Sequence, residues 1–128
     1  MNVVVSKSQY RRIFLNYLES FVGDLLVKGK TDFNYRVVET VDGEYIADLW
    51  HTGPVTKGCE TELYLEDSFV IEVESFIPIS RKKVFSEVML EYFYLKTGIK
   101  CYCIEFDYTG SVKDNTYKLN LKKNNSHL

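Results

Sequence analysis

Long apolar runs are missing from this 128-residue chain. No stretch approaches the length that crosses a bilayer, so the reading excludes a membrane-embedded chain. Proline is scarce, with two residues, and glycine is limited to seven. Apolar residues make up 45% and charged residues 27%. That balance excludes collagen-like, low-complexity and disordered material. Charge of one sign is also missing. Sixteen Lys+Arg face eighteen Asp+Glu, a formal net charge of −2. No global field draws the chain to a polyanion, so nucleic acid is not an expected partner. Only three cysteines occur, Cys59, Cys101 and Cys103. The odd count, with an opening Met1–Val5 too short for a secretory segment, points to reduced thiols and a cytoplasmic location.

Aromatic residues are plentiful: ten Tyr, eight Phe and one Trp, 15% of the chain. A chain of this length suits one domain, which we read as residues 1–121, with 122–128 as a flexible or partner-held tail. By area scaling it buries roughly 68–70% of its unfolded surface, enough for a core without disulfide staples.

Residues 6–28 carry a helical period. Tyr10, Ile13, Phe14, Tyr17, Leu18, Phe21 and Leu25 recur at i, i+3, i+4 and i+7. Ser6 or Ser8 caps the start and Gly29 closes the end. Antiparallel strands follow. Phe33, Tyr35 and Val37 alternate with polar residues, and Asp42-Gly43 is a tight hairpin turn leading into 44–50. Thr61–Leu65 and Phe69–Phe76 read as a second hairpin, with Phe69, Ile71 and Val73 inward and Glu72 and Glu74 outward. Pro78 ends that strand. Ser80 caps a second helix that runs to about Thr97, and Gly98 stops it. Residues 99–108 read as a central strand apolar on both faces, and 115–121 pair back onto it. The expected class is therefore α+β: a mainly antiparallel sheet of about six strands with two amphipathic helices on one face, in the order α-β-β-β-β-α-β-β.

Catalytic patterns are weak. Cys101 and Cys103 share one strand face, and Cys59, His51 and His127 could add donors. Structural zinc sites use paired ligands at turn spacing, which this set lacks, so buried thiols are the preferred reading. His51 with a thiol, oriented by Asp48, would make a nucleophilic dyad, but no signature surrounds it. Glu60 with Glu62, or Glu72 with Glu74, could hold a divalent metal, yet no Lys or Arg stands beside them for a phosphate. No GxGxxG or P-loop spacing occurs, and no βαβ pattern is visible to hold one. No cofactor, metal or catalytic residue is therefore assigned.

Charge and aromatic placement point to contacts. Glu60, Glu62, Glu66, Asp67, Glu72 and Glu74 form an acidic stretch, and Arg81-Lys82-Lys83 follow together. Tyr94, Tyr102 and Tyr108 exceed what one core needs, and tyrosine is enriched at interfaces. Arg81, Lys82, Lys83, Glu72, Glu74, Tyr94, Tyr102 and Tyr108 are the interaction candidates.

The order of elements resembles that of small phage tail-terminator and head–tail connector proteins. The resemblance rests on the opening helix from Tyr10 to Leu26, the hairpins, Phe69-Val-Ile-Glu-Val-Glu-Ser-Phe-Ile-Pro78 leading into helix 80–97, and the final hairpin. It implies a ring-forming α+β subunit of a virion that acts through surfaces, so no functional residue is carried over. The leading expectation is a non-enzymatic assembly protein, a homo-oligomer or a neighbour of other virion subunits. The alternatives are a small inhibitor, immunity or anti-defence protein that sets its acidic strand against a basic partner, and a metal- or Cys/His-dependent hydrolase.

Overall fold

The computed structural model describes residues 6–29, 35–52, 60–77, 79, 81–108 and 116–121. Nine elements occur among them: α1 (Lys7–Phe21), β1 (Leu25–Lys28), β2 (Tyr35–Thr40), β3 (Tyr45–Thr52), β4 (Glu60–Leu65), α2 (Asp67–Glu74), α3 (Lys82–Thr97), β5 (Cys103–Asp107) and β6 (Thr116–Asn120). The class is α+β, as expected, with helices packed on a six-stranded sheet. The strands lie in sequence order, β1 to β6.

Helix α1 starts as the sequence indicates. Ser6 accepts the Gln9 amide at 3.2 Å, and the Gln9 side chain accepts the Ser6 amide at 2.9 Å. This reciprocal box satisfies two amides that a helix end leaves open. The end comes earlier than expected. Gly23 adopts φ 75° and its amide donates to the Leu18 carbonyl, so the helix closes before Asp24. Leu25–Lys28 then form edge strand β1 against β2. Gly29 has another role from the one expected of it. A Cβ there would stand 3.0 Å from the Tyr35 carbonyl oxygen, so the close approach to β2 requires glycine.

Strands β2 and β3 pair across Asp42-Gly43, with Gly43 at φ 90°. The larger correction concerns residues 69–76. Residues 69–74 belong to helix α2 and 75–76 to the turn after it, so no strand runs there. Glu66 is the N-cap, and its carboxylate accepts the Phe69 amide at 3.1 Å and the Ser68 hydroxyl. Asp67 lies in the first turn, where a negative charge meets the positive end of the helix dipole. Phe69, Val70 and Val73 are buried, while Ile71 is half exposed. That pattern fits a period of 3.6 and contradicts alternation. Three helices therefore occur among the described residues, and the early end of α1 supplies the sheet with the strand that α2 removes.

A second correction follows. β4 and β5 are neighbours and parallel, so α2 and α3 form a crossover between them. All other pairings are antiparallel. Helix α3 has Arg81 as its N-cap, with no side-chain hydrogen bond there. Ser80, expected in that role, lies outside the described residues, as does the tail 122–128. Gly98 stops α3 in the left-handed conformation, φ 74°, as expected.

One face of the sheet is apolar. Val38, Ala47, Leu49, Leu63, Leu65, Ile104, Phe106 and Leu119 are buried on it in matching register. The helices cover this face. Phe14 of α1 stacks on Phe85 of α3 at 5.0 Å between ring centroids, and Phe85 meets Phe106 of β5 at 5.0 Å. Tyr92 is fully buried, and its hydroxyl donates to the Gly23 carbonyl. Burial of each such ring contributes roughly 1.5–3 kcal/mol. At the rim, the Lys96 ammonium donates to Glu19 at 2.8 Å and to Asp24 at 3.1 Å, tying the end of α3 to the end of α1.

Candidate interaction surface

The residues singled out from sequence do not meet at one place. Glu72 and Glu74 were expected on one strand face. Helix α2 turns them apart, since positions two apart lie on opposite sides of a helix. Glu72 is exposed and lines a groove of about 410 Å³ with Glu44, Tyr45, Glu66 and Phe69. Glu74 is half-buried on another side of α2. Three carboxylates, Glu44, Glu66 and Glu72, thus rim one groove. Burial alone would raise the Glu66 carboxyl. The hydrogen bonds from the Ser68 hydroxyl and the Ser68 and Phe69 amides outweigh it and hold the group below the ordinary carboxylate value.

Arg81 and Lys83 are exposed at the start of α3. Lys82 turns inward, and its ammonium sits 4.4 Å from the Tyr108 ring centroid. That cation–π contact spends one of the three charges on the chain's own tyrosine. Tyr102 is half-buried, with the Lys100 ammonium 5.7 Å from its ring centroid. Tyr108 is also half-buried, so neither is a free surface aromatic. Tyr94 is half exposed and lines a hollow with Leu90, Lys100, Cys101 and Leu121.

The catalytic readings gain no geometry. Cys101 and Cys103 are buried, and desolvation pushes the Cys101 thiol up to about 12 and raises that of Cys103. Neither is a thiolate at neutral pH. Cys59, His127 and the side chains of His51 and Glu60 lie outside what the structure describes. Glu62 accepts the Tyr64 hydroxyl at 2.5 Å. Asp48 accepts the Tyr35 hydroxyl at 3.0 Å. Among the described residues, no group of three or more His, Cys, Asp or Glu side chains is arranged to hold a metal ion. No helix among them is long and apolar enough to cross a membrane.

The most prominent surface feature contains Tyr17 and Phe21, which the apolar period of α1 assigns to the core. Tyr17 and Phe21 of α1 meet Phe76, just past α2, in a three-ring cluster. Centroids lie 5.0 Å apart for Tyr17 and Phe21, 5.5 Å for Tyr17 and Phe76, and 5.9 Å for Phe21 and Phe76. Phe21 is 69% exposed and Phe76 62%. The same rings adjoin the acidic groove, because Tyr17, Phe21 and Glu72 line one cleft with Glu44 and Phe69. Burial, with the Glu72 carboxylate nearby, raises the Tyr17 hydroxyl above its ordinary value. The available signal was the breadth of the apolar stripe on α1. It holds more large residues than one contact face can cover, and Ile13 is 52% exposed as well.

Neither a family model, nor a curated protein, nor a solved structure matches the chain.

Proposed function

We propose that the protein is a non-catalytic interaction protein whose contact face is the Tyr17–Phe21–Phe76 cluster together with the acidic groove beside it. The exposed three-ring cluster is the observation that carries this reading. Two phenylalanines more than 60% exposed and stacked on each other leave apolar surface that gains by being covered. Aromatic anchors ringed by polar groups are the usual core of a protein contact. Virion assembly, as a connector, neck or tail subunit, is one setting for such a face, but the order of elements that suggested it counted residues 69–76 as a strand, where the chain forms α2.

Glu44, Glu66 and Glu72 favour a second reading on the same face, a small inhibitor or immunity protein. Their charge complements a partner with Lys or Arg around an apolar pocket, and such complementarity speeds encounter.

Size-exclusion chromatography with light scattering, and capture from the native source, test the reading. The wild-type chain is expected to self-associate or to retain a partner, and the exposed double variant F21S/F76S to do neither. A wild-type chain that stays monomeric and retains nothing would overturn it. In the inhibitor reading, E72K slows association and weakens its salt dependence, whereas a virion subunit that self-assembles through the rings tolerates it.

A further inference from the structure

The second face of the sheet carries a different pattern from the helical side. Pairing registers set its side chains in two rows across the strands. One row runs Tyr35, Trp50, Glu62, Cys103, Asn120, and the next runs Val37, Asp48, Tyr64, Glu105, Lys118. Aromatic rings and carboxylates therefore alternate at the centre of the face. The Tyr35 and Trp50 rings lie 4.6 Å apart between centroids and are inclined at 56°. Trp50 remains 44% exposed.

The carboxylates here are held but not neutralised. Asp48 takes the Tyr35 and Tyr45 hydroxyls, and Glu62 takes the Tyr64 hydroxyl. The Tyr64 hydroxyl is raised, first by that bond to Glu62 and then by burial. Among the described residues, Asp48, Glu62 and Glu105 enter no ion pair; the ion pairs present join other groups. A phenol hydrogen bond fixes a carboxylate in place while leaving its charge and its other lone pairs available. The face is thus negative, aromatic and pre-positioned.

We propose that this sheet face, at its exposed Trp50 with the half-buried Asp48 and Glu62 beside it, binds an arginine-bearing segment of a partner protein. A guanidinium is planar, stacks on an indole or phenol face, and donates in a fork to carboxylates. The centre of this face offers an exposed indole next to Asp48 on its own strand and opposite Glu62 on the neighbouring one. A lysine ammonium would meet the charge but would gain no stacking. A polyanion would meet three carboxylates. This site is separate from the Tyr17–Phe21–Phe76 cluster and does not depend on it.

Trp50 is the single tryptophan of the chain, so its emission reports on this face alone. The experiment titrates the full chain with an oligoarginine peptide and, in parallel, with oligolysine of equal length. The expected result is a saturable change in Trp50 emission with oligoarginine, and clearly weaker binding of oligolysine. E62Q and D48N should each weaken oligoarginine binding about fivefold to tenfold, in the range of a lost ion pair that is partly desolvated. F21S/F76S should bind as the wild type does. E62Q alters a side chain held by one hydroxyl, so it keeps the test intact if D48N loosens the fold. No saturable change in emission, equal binding of oligolysine, or undiminished binding by E62Q would each overturn the proposal.

Discussion

Tyr92 shows how one hydroxyl holds two elements. Its ring fills the core, and its O–H donates to the Gly23 carbonyl, with the Leu18 carbonyl at 3.4 Å. Those carbonyls close α1, so the phenol caps a helix from a distance. Burial, with the charges of Glu19 and Asp24, raises this hydroxyl, which stays protonated and donating at any ordinary pH. Y92F keeps the ring and removes the donor. The Gly23 carbonyl then loses this donor, while the Leu18 carbonyl keeps the Val22 and Gly23 amides, at a cost of about 1 kcal/mol. A denaturant melt should show a lower midpoint with an unchanged slope; an unchanged midpoint would refute this role. At the same scale, several local signals were readable from the chain. Ser6 at the start of α1, Gly43 in the hairpin and Gly98 after α3 each meet a backbone demand that few other residue types satisfy. Gly23 was equally readable and was passed over, because the apolar period continues through Leu25 on paper.

The elements show where local pattern stops being enough. In Phe69-Val-Ile-Glu-Val, alternation and the helical period both place Phe69 and Val73 on one side. Val70 and Ile71 separate them: Val70 is fully buried and Ile71 is 50% exposed. The segment is rich in β-branched residues, yet its capped start at Glu66 and its packing against the sheet override that preference. The expected acidic strand was lost with it, so Glu72 and Glu74 no longer act together. The aromatic cluster was hidden for a related reason: periodicity says which side a residue faces, but not whether another element arrives to cover it. The tie between α1 and α3 gives a pH-dependent prediction. Pairing with Glu19 and Asp24 raises Lys96 above its ordinary 10.5. The stabilisation is thus fully present below that value and is lost as pH rises through the higher folded one. The stability gap between wild type and K96M should narrow on the alkaline side of 10.5; a gap constant with pH would refute the assignment.

At the scale of the whole molecule, both described cysteines are shielded, Cys101 within the helix-covered core and Cys103 on the second face of the sheet. Cys101 and Cys103 are 5% and 3% exposed, and their thiols are raised by desolvation. Alkylation at Cys101 should therefore follow the fraction of unfolded chain as denaturant is added, when located by peptide mass mapping. Rapid labelling in buffer would show that this edge opens separately from the rest. The α+β class was legible from sequence because the total of apolar surface and the punctuation by turns set it, whatever element each segment adopts. The parallel junction was not, because it depends on which strand α3 delivers β5 beside.

That junction has a consequence for the order in which the chain can become a protein. β1 to β4 form a meander whose partners are close in sequence, so their pairing requires only short loop closures. The ring that covers Phe14 is Phe85, and the strand beside β4 is β5; both are supplied by the later part of the chain. During synthesis, then, the meander and α1 emerge with their apolar sides bare until α3 is made. A newborn chain at that stage is sticky rather than folded, and its rescue depends on how soon the crossover arrives.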